Sequence, residues 1–178
     1  MRHLAILLAL SLSACEPKDE HGDDAPTTAG APAVWDSDIP LSTTWTQPAV
    51  TRGQAYWRLV EAYYFPPGES AAVGGDHHIF FQAKDLSGTL LQNQMGSMLT
   101  NGVNPVYAVT KGAVDLYAGN FPMWGSGWCG TSIDVPPGGP YSFLMAQDGI
   151  PSTRVDGMGL HCNFHMTWWL VYQKTVAP

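Results

Sequence analysis

Beyond residue 21 the chain carries four histidines, His77, His78, His161 and His165, and two cysteines, Cys129 and Cys162. Imidazoles brought together from neighbouring strands suit zinc or copper, with Asp76 as a further ligand. Spacing limits that chemistry. Adjacent residues on a strand point to opposite faces and residues four apart lie about 13 Å from one another, so one member of each pair at most reaches a common ion. Only if residues 159–163 form a loop can His161 fold back. Histidines bonded to backbone groups at strand ends are the plainer expectation. A nucleophilic Cys129 served by His161 or His165 would be thiol chemistry, but no recognisable Cys/His motif surrounds it. No catalytic carboxylate pair stands out, Gly125-Ser126-Gly127 is not the Gly-x-Ser-x-Gly elbow, and no phosphate-cradling glycine loop is present. No catalytic residue is assigned.

The tryptophans offer a different chemistry. Flat aromatic faces beside polar groups can stack on a sugar ring, and buried ones fill a core. Trp57 and Trp168 are expected in the core. Trp124, Trp128 and Trp169 are the candidate ligand-binding residues, the first two joined by Gly125-Ser126-Gly127, a loop that can reshape around a ligand.

These side chains must be positioned by strands. Gln54 to Phe65 is rich in aromatic and β-branched residues and stops at Pro66-Pro67-Gly68. From His77 to Asp85, Ile79, Phe81 and Ala83 alternate with His78, Phe80, Gln82 and Lys84, the mark of a half-buried strand. Further strands are expected over 89–95, 105–110, 113–117, 141–147 and 164–174. In the last, Phe164, Met166, Trp168 and Leu170 form the inward set, which leaves Trp169 on the outside. No window of ten residues shows a 3.6 period, so helix should be scarce. About seven short strands predict an all-β fold, an antiparallel two-sheet β-sandwich of the immunoglobulin-like or prealbumin-like kind.

The chain begins differently. Arg2 and His3 precede the apolar run from Leu4 to Leu10, which is far shorter than the roughly 20 residues that cross a bilayer. It reads as the apolar part of a secretion signal. The run closes in Leu12-Ser13-Ala14-Cys15, which resembles the bacterial lipobox at each position. That resemblance implies a signal peptide over 1–14, palmitate-type acylation of Cys15, a lipid anchor rather than a membrane span, and residence in the bacterial cell envelope. Glu16, rather than Asp, follows the cysteine, which favours the outer membrane or cell surface.

From residue 15 to 50 the composition predicts a flexible tether, and 51–178 the sandwich. Glu16, Asp19, Glu20, Asp23, Asp24, Asp36 and Asp38 face Lys18 alone. Such a segment is self-repelling and should hold the folded part away from an anionic membrane. Trp35, Ile39 and Trp45 are candidate anchors for its end. The whole chain carries −7, with 8 Lys and Arg against 15 Asp and Glu, so nucleic acid is excluded as a partner. Most of that charge belongs to the tether.

Phe81-Gln-Ala-Lys-Asp85-Leu-Ser-Gly88, Val109-Thr-Lys-Gly112-Ala-Val and Asp134-Val-Pro-Pro-Gly138-Gly-Pro-Tyr141 are similar to the landmarks of prealbumin-like sandwich repeats, including carboxypeptidase-regulatory-like domains. The stretch from Tyr56 to Thr175 also resembles accessory domains of secreted bacterial proteins. The resemblance implies a hairpin turn at Asp85 to Gly88 and a non-catalytic spacer or binder. In an oxidising envelope, Cys129 and Cys162 are expected to form a disulfide closing a loop of about 33 residues, ~3.7 kcal/mol in the chain-entropy model. The expected function is therefore a binding module for a polysaccharide or surface protein without a cofactor. A metal-binding protein or hydrolase using the four histidines, and a structural spacer or adhesin subunit, are the alternatives.

Overall fold

A computed structural model describes residues 30–66, 69, 77–123, 139–159 and 166–178. These build ten strands in two packed sheets. They are β1 (Val34–Trp35), β2 (Thr44–Thr46), β3 (Ala55–Phe65), β4 (His78–Lys84), β5 (Met95–Thr100), β6 (Val103–Val109), β7 (Gly119–Pro122), β8 (Tyr141–Met145), β9 (Arg154–Met158) and β10 (Thr167–Val176). The first sheet runs β1-β3-β10-β4-β7 and the second β2-β9-β8-β5-β6. The fold is all-β and sandwich-like, as the alternation predicts.

Pairing is mostly antiparallel, with two parallel pairs, β1 with β3 and β10 with β4. The last strand is therefore inserted into the middle of the first sheet, antiparallel to β3 on one side and parallel to β4 on the other. Long apolar strands occupy that centre because both neighbours exclude water from their edges.

Alternation sorts the side chains. Ile79, Phe81 and Ala83 of β4 are fully buried, as are Trp168, Leu170 and Tyr172 of β10, within 1%. In β3 the inward set changes parity, from Trp57 and Leu59 to Ala62 and Tyr64. The register shift opposite Val171 and Tyr172 explains the change: Glu61 and Leu59 are the partners, and Val60 is the extra residue of a bulge. Phe81, Phe121 and Phe143 meet in the centre with ring centroids 4.9–5.9 Å apart, and Tyr172 adds a fourth ring 5.5 Å from Phe143. Gly96 gives them room, since a Cβ there would lie 2.7 Å from the Phe143 ring.

Several expected strands differ. Residues 113–117 form a 3-10 turn over Ala113–Asp115 rather than a strand, its apolar side chains turned to solvent. The strand expected over 89–95 begins only at Met95, because Asp85 to Gln94 is taken up by turns. β7 and β9 are additional. Both are short and contain a glycine, Gly119 and Gly157, which conceals them from a propensity reading.

The segment expected to be tether through residue 50 is strand and anchor from residue 33 onward. β1 borders β3, the chain crosses over, and β2 borders β9. One strap thus covers an edge of both sheets. Ile39 is buried in the core between them, while Trp35 and Trp45 pack on it partly buried. Asp36 fixes the crossover by accepting from the backbone N–H of Tyr64 at 3.2 Å and of Asp38 at 3.0 Å. Apolar burial at three positions outweighs the acidic composition that otherwise favours free chain.

Candidate functional site

The outward residues of the first sheet form rows across its strands. Trp169 of β10 pairs with Tyr63 of β3 and with Phe80 of β4, and Phe80 pairs with Asn120 of β7. Trp169 and Phe80 stack with centroids 5.2 Å apart and planes 29° from parallel. His78, two residues along β4, lies 5.5 Å from Phe80 at 31°. An aromatic strip therefore runs over an otherwise polar sheet face, built by the same alternation that buries Ile79, Phe81, Trp168 and Leu170 beneath it.

Polar groups flank the strip. Glu61 accepts from Tyr63 Oη at 3.1 Å and from Lys84 Nζ at 2.9 Å. Burial first, then the Glu61 hydrogen bond and charge, with Asp36 last, raise the Tyr63 phenol above its ordinary value, so it stays a donor at neutral pH. Beyond β4, the turn after β6 rises beside the strip. Lys111 and Asp115 pair at 3.9 Å, and Gln82 Nε2 donates to the carbonyl of Leu116 at 2.6 Å. Leu116 and Tyr117 both adopt left-handed backbone, φ 55° and 57°. Two such residues cost on the order of 1 kcal/mol or more each and persist only where surroundings fix them. Here the Gln82 bond and the hydrogen bonds from Leu116 N to Ala113 O and from Tyr117 N to Gly112 O fix them.

Between turn and strip lies a shallow groove of about 180 Å³, lined by Phe80, Trp169, Lys111, Val114, Asp115, Leu116 and Ala118. Its size admits a single ring-sized group. Its walls offer aromatic surface on one side and a cation and a carboxylate on the other. That mixture can hold a flat, hydroxylated ring by stacking and hydrogen bonds. No step of covalent chemistry follows from these groups.

Among the expected ligand-binding residues, Trp169 is where alternation puts it, on the outer face and half buried. Trp124 and Trp128 lie outside the described residues, as do Cys129, Cys162, His161, His165 and Cys15. His77 has a left-handed backbone, φ 62°, and its carbonyl accepts from Met123 N at 2.6 Å. The His78 ring has a buried Nδ1 without a hydrogen-bond partner among the described residues. Among those residues no three His, Cys, Asp or Glu side chains come together as a metal site. Phe80, Lys111 and Asp115 line the groove and are candidate residues that sequence reasoning missed. The outward parity of Phe80 is readable from β4 alone, but its place beside Trp169 depends on a parallel pairing between distant strands.

A separate polar cluster among the described residues centres on Ser142. On the second sheet Ser142 Oγ donates to Asp156 Oδ1 at 2.6 Å, and Arg154 reaches both, at 2.7 Å to Asp156 and 3.0 Å to Ser142. With no imidazole in the cluster, it reads as a cross-strand polar clasp.

Comparison with protein-family models, with curated proteins and with solved structures finds no match to this chain.

Proposed function

We propose that the chain is a lipid-anchored protein of the bacterial cell envelope whose sandwich is a non-catalytic binding module for a polysaccharide. The observation that carries the ligand reading is the stacked Trp169–Phe80 pair facing Lys111 and Asp115 across the groove. A sugar ring fits such a wall because its C–H face lies on aromatic carbon while its hydroxyls meet charged or amide groups. The lipobox-like Leu12-Ser-Ala-Cys15 supports anchorage at the outer membrane or cell surface through Cys15. The prealbumin-like reading draws support from the Asp85 turn, where Oδ1 accepts from Ser87 N at 2.8 Å and Thr89 N at 2.9 Å. A Cys129–Cys162 disulfide belongs to the same proposal, as do Trp124 and Trp128 as further binding residues.

The test is a glycan array together with pull-downs on peptidoglycan and surface polysaccharides. Removing one stacking ring, by Trp169→Ala or Phe80→Ala, is expected to weaken binding by roughly fivefold to tenfold. Binding that both substitutions leave intact overturns the assignment of the groove.

A protein partner is the second reading, and one observation favours it. β6 is a sheet edge with no charged residue, and Val106 and Tyr107 are more than half exposed on it. An extended peptide can add to such an edge, although the Asn104-Pro105 irregularity shortens the usable stretch to Val106–Val109.

A further inference from the structure

Registers gather several turns at one end of the sandwich. The start of β3 pairs with the end of β10, Ala55 with Val176, and Lys84 at the end of β4 pairs with Gln173. Gln173 Nε2 donates to the carbonyl of Leu86 at 3.3 Å. The Arg52 turn closes on the C-terminus through Gly53 N to Ala177 O. Leu91 N bonds Ala83 O and Asn93 N bonds Thr110 O, which bring the start of β5 and the end of β6 to the same end.

Two kinds of side chain concentrate there. Of the eleven exposed large hydrophobic residues described, six are at this end: Leu86, Met95, Val109, Val114, Leu116 and Val176. Five of the six described Lys and Arg residues are there too: Arg52, Arg58, Lys84, Lys111 and Lys174. They face four carboxylates, of Glu61, Asp85, Asp115 and Asp148, of which Glu61 and Asp115 are paired and Asp85 caps its own turn. Arg52, Arg58 and Lys174 form no ion pair among the described residues. Asp36, Asp38 and Glu69, toward the opposite end, form no ion pair among the described residues. A protein with an acidic total charge therefore presents one end that is apolar at its tips and carries an excess of one positive charge, five Lys and Arg against four carboxylates.

We propose that this end of the sandwich rests directly on an anionic lipid surface, with Leu86 and its apolar neighbours entering the headgroup layer and Arg52 and Lys174 meeting lipid phosphates. Charge complementarity selects the occupant, since exposed apolar tips ringed by cations match the boundary of an anionic bilayer. The chain's own course agrees. Arg58 Nη2 donates to the carbonyl of Ala31 at 2.8 Å, so the polypeptide enters the domain at this same end. The fifteen peptide steps from Cys15 to Gly30 reach about 50 Å at most, so an anchored chain can lie down on its membrane as well as stand off it. The inference requires neither glycan binding nor acylation; Lys111, Val114, Asp115 and Leu116 at this end also line the groove, so the lipid contact is assigned to Leu86, Val176, Arg52 and Lys174, which do not.

The test uses residues 15–178, which contain every described residue, with Cys15→Ser to remove the acylation site. Sedimentation with phosphatidylcholine vesicles, with and without phosphatidylglycerol, reads the partitioning at low ionic strength. Preferential binding to the anionic vesicles is expected. Arg52→Glu should weaken it by roughly 30-fold, two charge steps at the usual attraction of a surface cation. Leu86→Ser should weaken it by roughly tenfold through lost apolar burial. Leu86 is 61% exposed and engages the fold through its backbone, so the variant folds. Leu41→Ser, at a position 90% exposed among the crossover residues of the strap, should change nothing. Equal binding to both vesicle types overturns the proposal, and would be seen if the acidic stretch from Glu16 to Asp24 occupied the cations instead. An effect of Leu41→Ser as large as that of Leu86→Ser overturns it as well.

Discussion

Replacing Tyr172 by Phe should stabilise the protein. Tyr172 sits at the centre of the first sheet, fully buried, its ring against Phe143 at 5.5 Å. Its hydroxyl has no hydrogen-bond partner among the described residues. A buried hydroxyl left unpaired costs about 1–3 kcal/mol relative to solvation, and phenylalanine keeps the ring and its contacts while removing that cost. A gain of about 1–2 kcal/mol is expected, which for a domain of this size raises the melting temperature by roughly 3–6 °C. The alkaline limb gives a second reading. Burial, and secondarily the charge of Asp156, hold the Tyr172 phenol well above its ordinary 10.0. Burial and then Asp38 push Tyr64 up to about 12. The folded protein keeps these protons where the unfolded chain releases them, so this stabilisation is complete below about pH 10 and lost as pH climbs through the folded values. Thermal melts from pH 7 to 11 should fall more steeply above pH 10 in the parent than in Tyr172→Phe. A variant that loses 1 kcal/mol or more at pH 7, or an unchanged alkaline slope, refutes the reasoning.

Two further predictions concern packing. A Cβ at Gly119 would collide with the Phe81 ring and lie 2.9 Å from Val109 O, so Gly119→Ala should cost about 1–3 kcal/mol in urea unfolding; an unchanged midpoint would mean the aromatic centre yields freely. Starting the chain at residue 51 removes Ile39 from the core and uncovers edges of β3 and β9, so self-association by light scattering and a loss of at least ~2 kcal/mol are expected, whereas a monomer of parental stability would show the strap to be dispensable.

Much of this fold is written in local alternation. β3, β4, β6, β8 and β10 lie close to where strands are expected, period-two patterning sorts β4, and at β10 it puts Met166, Trp168 and Leu170 inward and Trp169 outward; Phe164 lies outside the described residues, and Thr167 and Val171 of the other set are buried as well. The strap was half legible. Trp35, Ile39 and Trp45 mark it as anchors, but their acidic setting reads as free chain, and the gain from burying them exists only once both sheets stand. β9 reads as loop because Arg154 and Asp156 pair with each other on its outer side and Gly157 takes φ 83°. Trp169 is legible as an outward ring. The groove is not, since Lys111, Asp115 and Phe80 meet it through a turn with two left-handed residues and through a parallel pairing of strands nearly ninety residues apart in the chain.

The border that the strap provides has a mechanical side. β1 runs parallel to β3 and is joined to the sheet through Ala33 N to Val60 O at 2.8 Å and Asp36 N to Ala62 O at 3.1 Å. A tug delivered from the N-terminal side loads these bonds in shear, along the strand, so they resist together rather than parting one after another. When they do yield, tension passes to Ile39 and then to β2, while β3 and β10 still hold each other across ten residue pairs. The domain is built to give way first at its leash and last at its heart.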